Sequence, residues 1–467
     1  MATAAPVREG RVASAAPELL RTRRPELIVW GLWAGMFASV LAHIARYGRN
    51  IPLSEDWLML RPLTGREPDF WSWVWAQNNE HRLPVAKLLY LGLLEVVPDF
   101  RVGMVFNALV LGGLAAGCIL VARQVRGGRT TYADAVFPLA LLHIGHWFNL
   151  VWSWQIQFVV SVAAIFTILL VIVAAHLPLR LGPAVALGVA VVLLPLTGGS
   201  GLPFVPACVL ALLALGTLAW FLGPAGAAGR AVTAVLTGAA VLSVVVTGLY
   251  FVGYERPSWL PDNPGPWPTL ETAARFTAMG FGPRNSLFSV LVALLFVGSG
   301  IVVVARRVLR GPADAERRRA VALLAFLGGC VLLALGLAYG RAGLVPTEGL
   351  PGRYALLAVP AFVAAWFGWL RYGSASVRPW VQGAVVVAFV VALPFNVREG
   401  WSTRDWYVAG MTSVEHDIDA GMPRDELVKR HQQFLLHWDG NRLAEGMDIL
   451  HERKIGPFAR MRTSAQP

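Results

Sequence analysis

The sequence predicts an all-α polytopic membrane protein, and three observations carry that prediction. Of 467 residues, 56% are hydrophobic and 15% charged, against about 45–50% and about 25% in soluble domains. The apolar residues come in repeated runs of about 20, the length at which a helix crosses a bilayer with its backbone groups paired internally. The net charge of +12 gathers in short clusters between those runs, as the cytoplasmic bias of Lys and Arg predicts. That distribution speaks against a nucleic-acid partner.

Taken in order, Arg8, Arg11, Arg21, Arg23 and Arg24 make residues 1–26 a basic, cytoplasmic N-terminal segment. The first span, 27–46, is too long for a signal-peptide core and lacks a small-residue cleavage site, so it reads as a retained anchor. Residues 47–102 form a polar first external loop. Its stretch 83–97 is apolar but short, begins beside Pro84, and carries Lys87 and Glu95. A surface or re-entrant helix there, rather than a span, keeps every later basic cluster on one side. Those clusters are Arg123/Arg126/Arg129, Arg306/Arg307/Arg310 with Arg317/Arg318/Arg319, and Arg371/Arg378.

Further spans are predicted at 103–122, 135–147, 156–176, 183–197, 203–223, 231–254, 285–305, 320–340, 354–371 and 380–396, eleven with the first. Two are short. The second of these ends in Thr197-Gly198-Gly199-Ser200-Gly201, a break tolerated at membrane depth only where protein or a water-filled cavity satisfies the backbone. The transmembrane domain is thus 27–396. The tail 397–467 is polar, expected outside, and too short for a large core of its own, so it should pack on the external loops. Duplicated halves of the kind common in transporters are not evident. Cys118, Cys208 and Cys330 all fall in apolar runs and read as small buried hydrophobes.

The chemistry concentrates in the first loop. Ser54-Glu55-Asp56-Trp57 leads to Asn79-Glu80-His81-Arg82-Leu83-Pro84-Val85-Ala86-Lys87-Leu88-Leu89. Adjacent carboxylates point in different directions, so one can take a proton from a hydroxyl within about 3 Å while the other orients the site or a divalent cation, Mg²⁺ or Mn²⁺. The competing reading is a solvated turn or a helix N-cap. His81, Arg82 and Lys87 lie at the start of the apolar helix, where they can bind a lipid phosphate or snorkel and pair with Glu80. Arg341 and Arg353-Tyr354 bracket a later external loop, against the charge bias. They suit a phosphate, unless Glu348 pairs with them locally. Trp57 is the tryptophan placed to stack on a sugar ring; the others fit an interfacial belt. His143 and His146 share a helix face and read as a satisfied pair rather than half a metal site.

In order, this span, acidic loop and His-x-x-Pro-x-x-Lys-Leu-Leu run resemble the first external loop of the GT-C glycosyltransferases. In the protein O-mannosyltransferase branch the run reads Asp-Glu, then His-Pro-Pro-x-x-Lys-Leu-Leu; here Arg82 stands where the first proline would, and Pro84 and Lys87 fall one residue later. The resemblance covers roughly 27–176 and omits the long second and third signature loops of the mannosyltransferases. It implies a GT-C-like bundle and a polyprenyl-phosphate-linked sugar donor. It also implies inverting transfer to a glycan, lipid or protein hydroxyl, with Asp56 as the first candidate base and Glu55 as the second. An Arg-for-Lys and Ala-rich bias suggests a bacterial inner membrane with the active face outside. The alternative is a transporter or flippase of lipid-linked envelope intermediates, whose charges should lie at helix breaks near the midplane.

Overall fold

The computed structural model describes residues 15–462 apart from 177, 223–225 and 285, with side chains from 23 onward except those of 222, 347 and 348. Arg8 and Arg11, and the side chains of Arg21 and Glu348, therefore lie outside the described residues. Among those described, nine helices are long and apolar enough to cross a membrane, and the only strands are two residues each. The chain is a multi-pass, all-α membrane protein.

Helix α1 (Ala15–Tyr47) packs on the later α5 (Arg101–Val125) where Gly112 leaves room for the ring of Phe37, and Trp33 Nε1 donates to the Gly112 carbonyl at 2.9 Å. The first loop follows: a 3₁₀ turn Ser54–Met59, α2 (Leu60–Leu63), α3 (Phe70–Trp75), a hairpin of β1 (Gln77–Asn78) and β2 (His81–Arg82), and α4 (Pro84–Val96). At 1.5 Å per residue the 13 residues of α4 reach about 20 Å, short of a roughly 30 Å bilayer core. Next comes α5 (Arg101–Val125).

The predicted span 135–147 is not a helix that crosses the bundle. It breaks into a 3₁₀ turn Tyr132–Ala135, α6 (Val136–Leu141), a second turn Ile144–His146, α7 (Trp147–Val151) and a third turn Ser153–Gln155. The cause is length: 13 residues of helix fall short, and an irregular path covers more distance per residue. Such a path survives because α1, α5 and the later helices α16 (Ala355–Tyr372) and α17 (Arg378–Asp419) enclose it. At one end Asp134 takes two bonds of 2.8 Å from Arg126; at the other Trp152 Nε1 donates to the Leu53 carbonyl at 3.0 Å.

Helix α8 (Ile156–Ala174) returns. The predicted span 183–197 falls in the shorter apolar stretch Leu181–Thr197, composed of α9 (Leu181–Leu193) and a 3₁₀ turn. Then come α10 (Val205–Leu222), α11 (Ala227–Phe251), α12 (Pro266–Ala278), α13 (Leu287–Arg310), α14 (Ala315–Arg341), α15 (Val345–Glu348) and α16 (Ala355–Tyr372). Residues 255–284, between two predicted spans, contain α12, whose buried face leads Phe281 into a cluster with Phe362 and Phe389. Helix α17 (Arg378–Asp419) has 42 residues, about 63 Å, so it runs unbroken past position 397. Its far end, with α18 (Arg424–Leu435), α19 (Gly440–Glu452) and the turn Gly456–Arg460, covers the first loop. Gly446 admits the Trp57 ring, and Arg61 meets Glu445 at 2.8 Å.

The bundle has two distinct ends. Arg123, Arg126, Arg307, Arg319 and Arg371 share one, tied to Glu26, Asp134, Asp314 and Glu316. The first loop and the C-terminal helices share the other.

Candidate active site

The hairpin pairs Gln77 with Arg82 and Asn78 with His81, leaving Asn79-Glu80 as a two-residue turn. Asn79 sits at φ 51°, a left-handed conformation that asparagine tolerates. The turn directs Glu80 and His81 toward a void, while Arg82 points back. Its guanidinium donates to the carbonyls of Tyr250 (2.9 Å), Trp75 (2.9 Å), Val252 (2.8 Å) and Gly253 (3.1 Å). Lys87 Nζ donates to the carbonyls of Trp73 (2.6 Å) and Ala76 (2.9 Å) at the end of α3, and lies 5.1 Å from the Trp73 ring. Burial, reinforced by Arg82, lowers its pKa to about 8. Both cations are spent on orphan backbone carbonyls, so neither is open to a phosphate. The phosphate contact expected of them is not the arrangement seen here.

Two joined cavities open beside the hairpin. The larger, about 390 Å³, is a mainly apolar groove between α11 and α14, with Leu333, Gly336 and Leu337 along its wall and the exposed Phe251 and Tyr339 at its mouth. The smaller, about 130 Å³, is polar: Glu55, Asn78, Asn79, Gln155 and Arg353 line it, with Trp152 and Trp259 as aromatic walls. Glu80, His81, Gln157, Phe158, Arg341 and Tyr354 line both. At this junction Arg341 forms an ion pair with Glu80 and lies 5.9 Å from the rings of Trp259 and Tyr354.

Arg353 packs 5.9 Å from the Trp152 ring and 5.4 Å from Tyr354, with no carboxylate partner among the described side chains. His81 is held by a 3.3 Å bond from Gly199 N–H to Nδ1, which leaves the Nε2 proton facing Glu80 at 3.5 Å. A Cβ on Gly199 would sit 2.9 Å from that ring, so the glycine break at 198–201 is what lets the imidazole in. Burial, with the charge of Arg353, pushes the His81 pKa down to about 4. It is neutral at pH 7.

The two carboxylates part company. Ser54 takes φ 54°, and the turn after it aims Asp56 inward, where Oδ2 accepts from Leu53 N–H at 3.1 Å. Asp56 caps that turn, is 2% exposed and lines neither cavity; burial raises its pKa to about 7. Glu55 lines the polar cavity with Oε2 buried and unpaired. Trp57, expected to stack on a sugar, lies instead 5.7 Å from Phe458 beneath the C-terminal helices, because a flat apolar ring gains more there than at a wet surface. Trp152 and Trp259 take the aromatic position at the cavity.

Metal ligation does not fit this donor set. Among the described residues no three His, Cys, Asp or Glu side chains converge: Glu80 is held by Arg341, Asp56 is turned away, and His143 and His146 stack at 4.1 Å deep in the bundle. Gln155, Gln157, Asn78 and Asn79 escaped the sequence reading. Two glutamines opening the apolar run at 155–176 were the available signal. No family model, curated protein or solved structure matches the chain.

Proposed function

We propose that the chain is a GT-C-type membrane glycosyltransferase that moves a sugar from a polyprenyl-phosphate donor to an acceptor hydroxyl, with inversion. The observation that carries the reading is the junction of an apolar groove with a small polar cavity holding a carboxylate with an unpaired oxygen and an arginine with no carboxylate partner among the described side chains. That pairing suits one amphipathic ligand: a prenyl chain in the groove, its phosphate at the junction, its sugar in the cavity. Glu55 takes the proton of the acceptor hydroxyl as the acceptor oxygen bonds to the anomeric carbon. The bond from that carbon to the phosphate oxygen breaks, and its electron pair leaves with the polyprenyl phosphate. Arg353 stabilises the departing charge; Arg341 joins it once Glu80 lets go. Glu55 thus takes the role first given to Asp56, and no step requires a divalent cation.

The acceptor is a glycan, lipid or protein hydroxyl, and the site faces the outside of a bacterial inner membrane, as the basic clusters at the opposite end favour. Transport is less well supported: at that opposite end Arg319 and Arg371 tie the last carbonyls of α8 to α14 and α16. The test is release of polyprenyl phosphate by purified protein from a panel of prenyl-phosphate monosaccharides. Release from any of them, stimulated by an envelope extract supplying hydroxyl acceptors, supports transfer. No release from any, together with movement of the labelled lipids across proteoliposomes, overturns it in favour of transport.

A further inference from the structure

The polar cavity contains a side chain to which the proposed reaction assigns nothing. Gln155, in the turn before α8, is 0% exposed, lines the cavity, and has neither Oε1 nor Nε2 bonded to any protein group. An amide buried with both ends unpaired is costly, and is kept where something else completes it. It presents one acceptor and two donors in a plane. That set matches two neighbouring hydroxyls, one donating to Oε1 and the other accepting from Nε2.

The surroundings narrow the ligand further. At about 130 Å³, about four water volumes of roughly 30 Å³, the cavity excludes a chain of sugars and takes at most one ring, part of it in the junction shared with the groove. The open oxygen of Glu55 and the nearby Glu80 repel an anionic ring, while Arg353 is placed for a phosphate at the rim. Trp152 and Trp259 offer flat faces, and Gln157, 7% exposed, adds a second amide.

We infer that Gln155 is the specificity residue of this site: it orients a single uncharged glycosyl ring through two adjacent hydroxyls and contributes nothing to holding the phosphate. The inference rests on the donor reading above and names the class of sugar that donor carries.

The test uses the full-length protein in detergent and four probes: a short-chain prenyl phosphate, its hexosyl ester, its hexuronosyl ester, and the plain methyl hexoside. Tryptophan fluorescence reports binding and thermal unfolding reports stability, for wild type and Gln155→Met. Wild type should bind the hexosyl ester roughly ten- to a hundredfold more tightly than the bare prenyl phosphate, and prefer it to the hexuronosyl ester. Gln155→Met should abolish that gain, bind the bare prenyl phosphate within twofold of wild type, and melt no lower than wild type when empty. Unchanged hexosyl preference in the variant overturns the inference and leaves the donor reading intact. Equal loss for every probe, or a lower melting point of the empty variant, makes Gln155 structural and also overturns it. If wild type ignores prenyl phosphate yet is stabilised by methyl hexoside, and the variant is not, the donor reading falls and the role of Gln155 stands. Indifference to all four probes overturns both.

Discussion

The two ends of this bundle use the same residue types to opposite effect. At the basic end Arg126 closes on Asp134 with two bonds of 2.8 Å, and Arg319 and Arg371 share Glu316 while donating to α8 carbonyls. Each of these three arginines has a carboxylate partner within the protein, although Arg371 Nε is itself unpaired. At the loop end Arg353 meets only aromatic faces among the described side chains, while Glu55 and Gln155 keep buried atoms unpaired. A buried polar group left open costs stability; Glu55 and Gln155 differ from the open groups of the core in lining a cavity, where a ligand can complete them. The same contrast divides neighbours in the chain: Asp56 and Arg82 are bound by backbone, Glu55 and His81 face the cavity.

The largest expected effect tests that division at its sharpest point. Glu55→Gln should cut turnover by about 10²–10⁴ with donor affinity and melting temperature little changed. Asp56→Asn should leave more activity and act on stability. A reversed pattern, read from steady-state rates and thermal melts, would return the base to Asp56. Next in size is Arg82→Ala, which orphans several carbonyls and should cost on the order of 3 kcal/mol or more. Denaturation should register that loss, and Arg82→Lys should restore little, since a point donor cannot span the same carbonyls.

A smaller effect belongs to the open arginine. Arg353→Ala should weaken binding of a prenyl phosphate by about one to two orders of magnitude, the worth of a charge-assisted bond, and Arg353→Lys should recover part of it. Arg319→Ala, at the opposite end, should lower stability and leave that affinity alone. Equal affinity loss from both would erase the distinction between the ends.

The subtlest test is pH. The Asp56 pKa is raised in the fold from its ordinary 3.8 to about 7, so between those values the folded protein binds the extra proton, and stability falls as pH rises. The His81 pKa is lowered from 6.5 to about 4, so across that window the unfolded chain binds the extra proton, and stability rises with pH. The two slopes oppose each other in wild type. Relative to wild type, Asp56→Asn should make stability climb more steeply between about pH 4 and 6.5, and His81→Gln should make it climb less steeply over the same range. Identical pH profiles for the two variants would contradict these burials.

Much of the scaffold was legible because lipid imposes a simple code: nine of the predicted spans coincide with long apolar helices. The span 135–147 was misread because hydropathy reports burial and not helicity, and a buried broken segment is as apolar as a helix. Within the site, Glu55, His81, Arg341, Arg353 and Tyr354 were picked out by sequence and do line the cavities. Arg82, Lys87 and Trp57 carry equally suggestive chemistry but face away. Direction is the missing information: whether an arginine meets a ligand or four carbonyls depends on the hairpin turn at Asn79 and on the 250–253 backbone, distant in sequence. Gln155 and Gln157 match no motif, and the significance of Gln155 appears only when both its amide atoms prove unpaired.

The most direct measurement is a structure of the full-length protein with a non-hydrolysable prenyl-phosphate hexose bound. The account predicts the prenyl chain along Leu333, Gly336 and Leu337, the phosphate against Arg353 with Glu80 displaced from Arg341, and the ring between Glu55 and Gln155. A ligand seated elsewhere, or a phosphate bonded to Arg82 and Lys87 with the polar cavity empty, would contradict it.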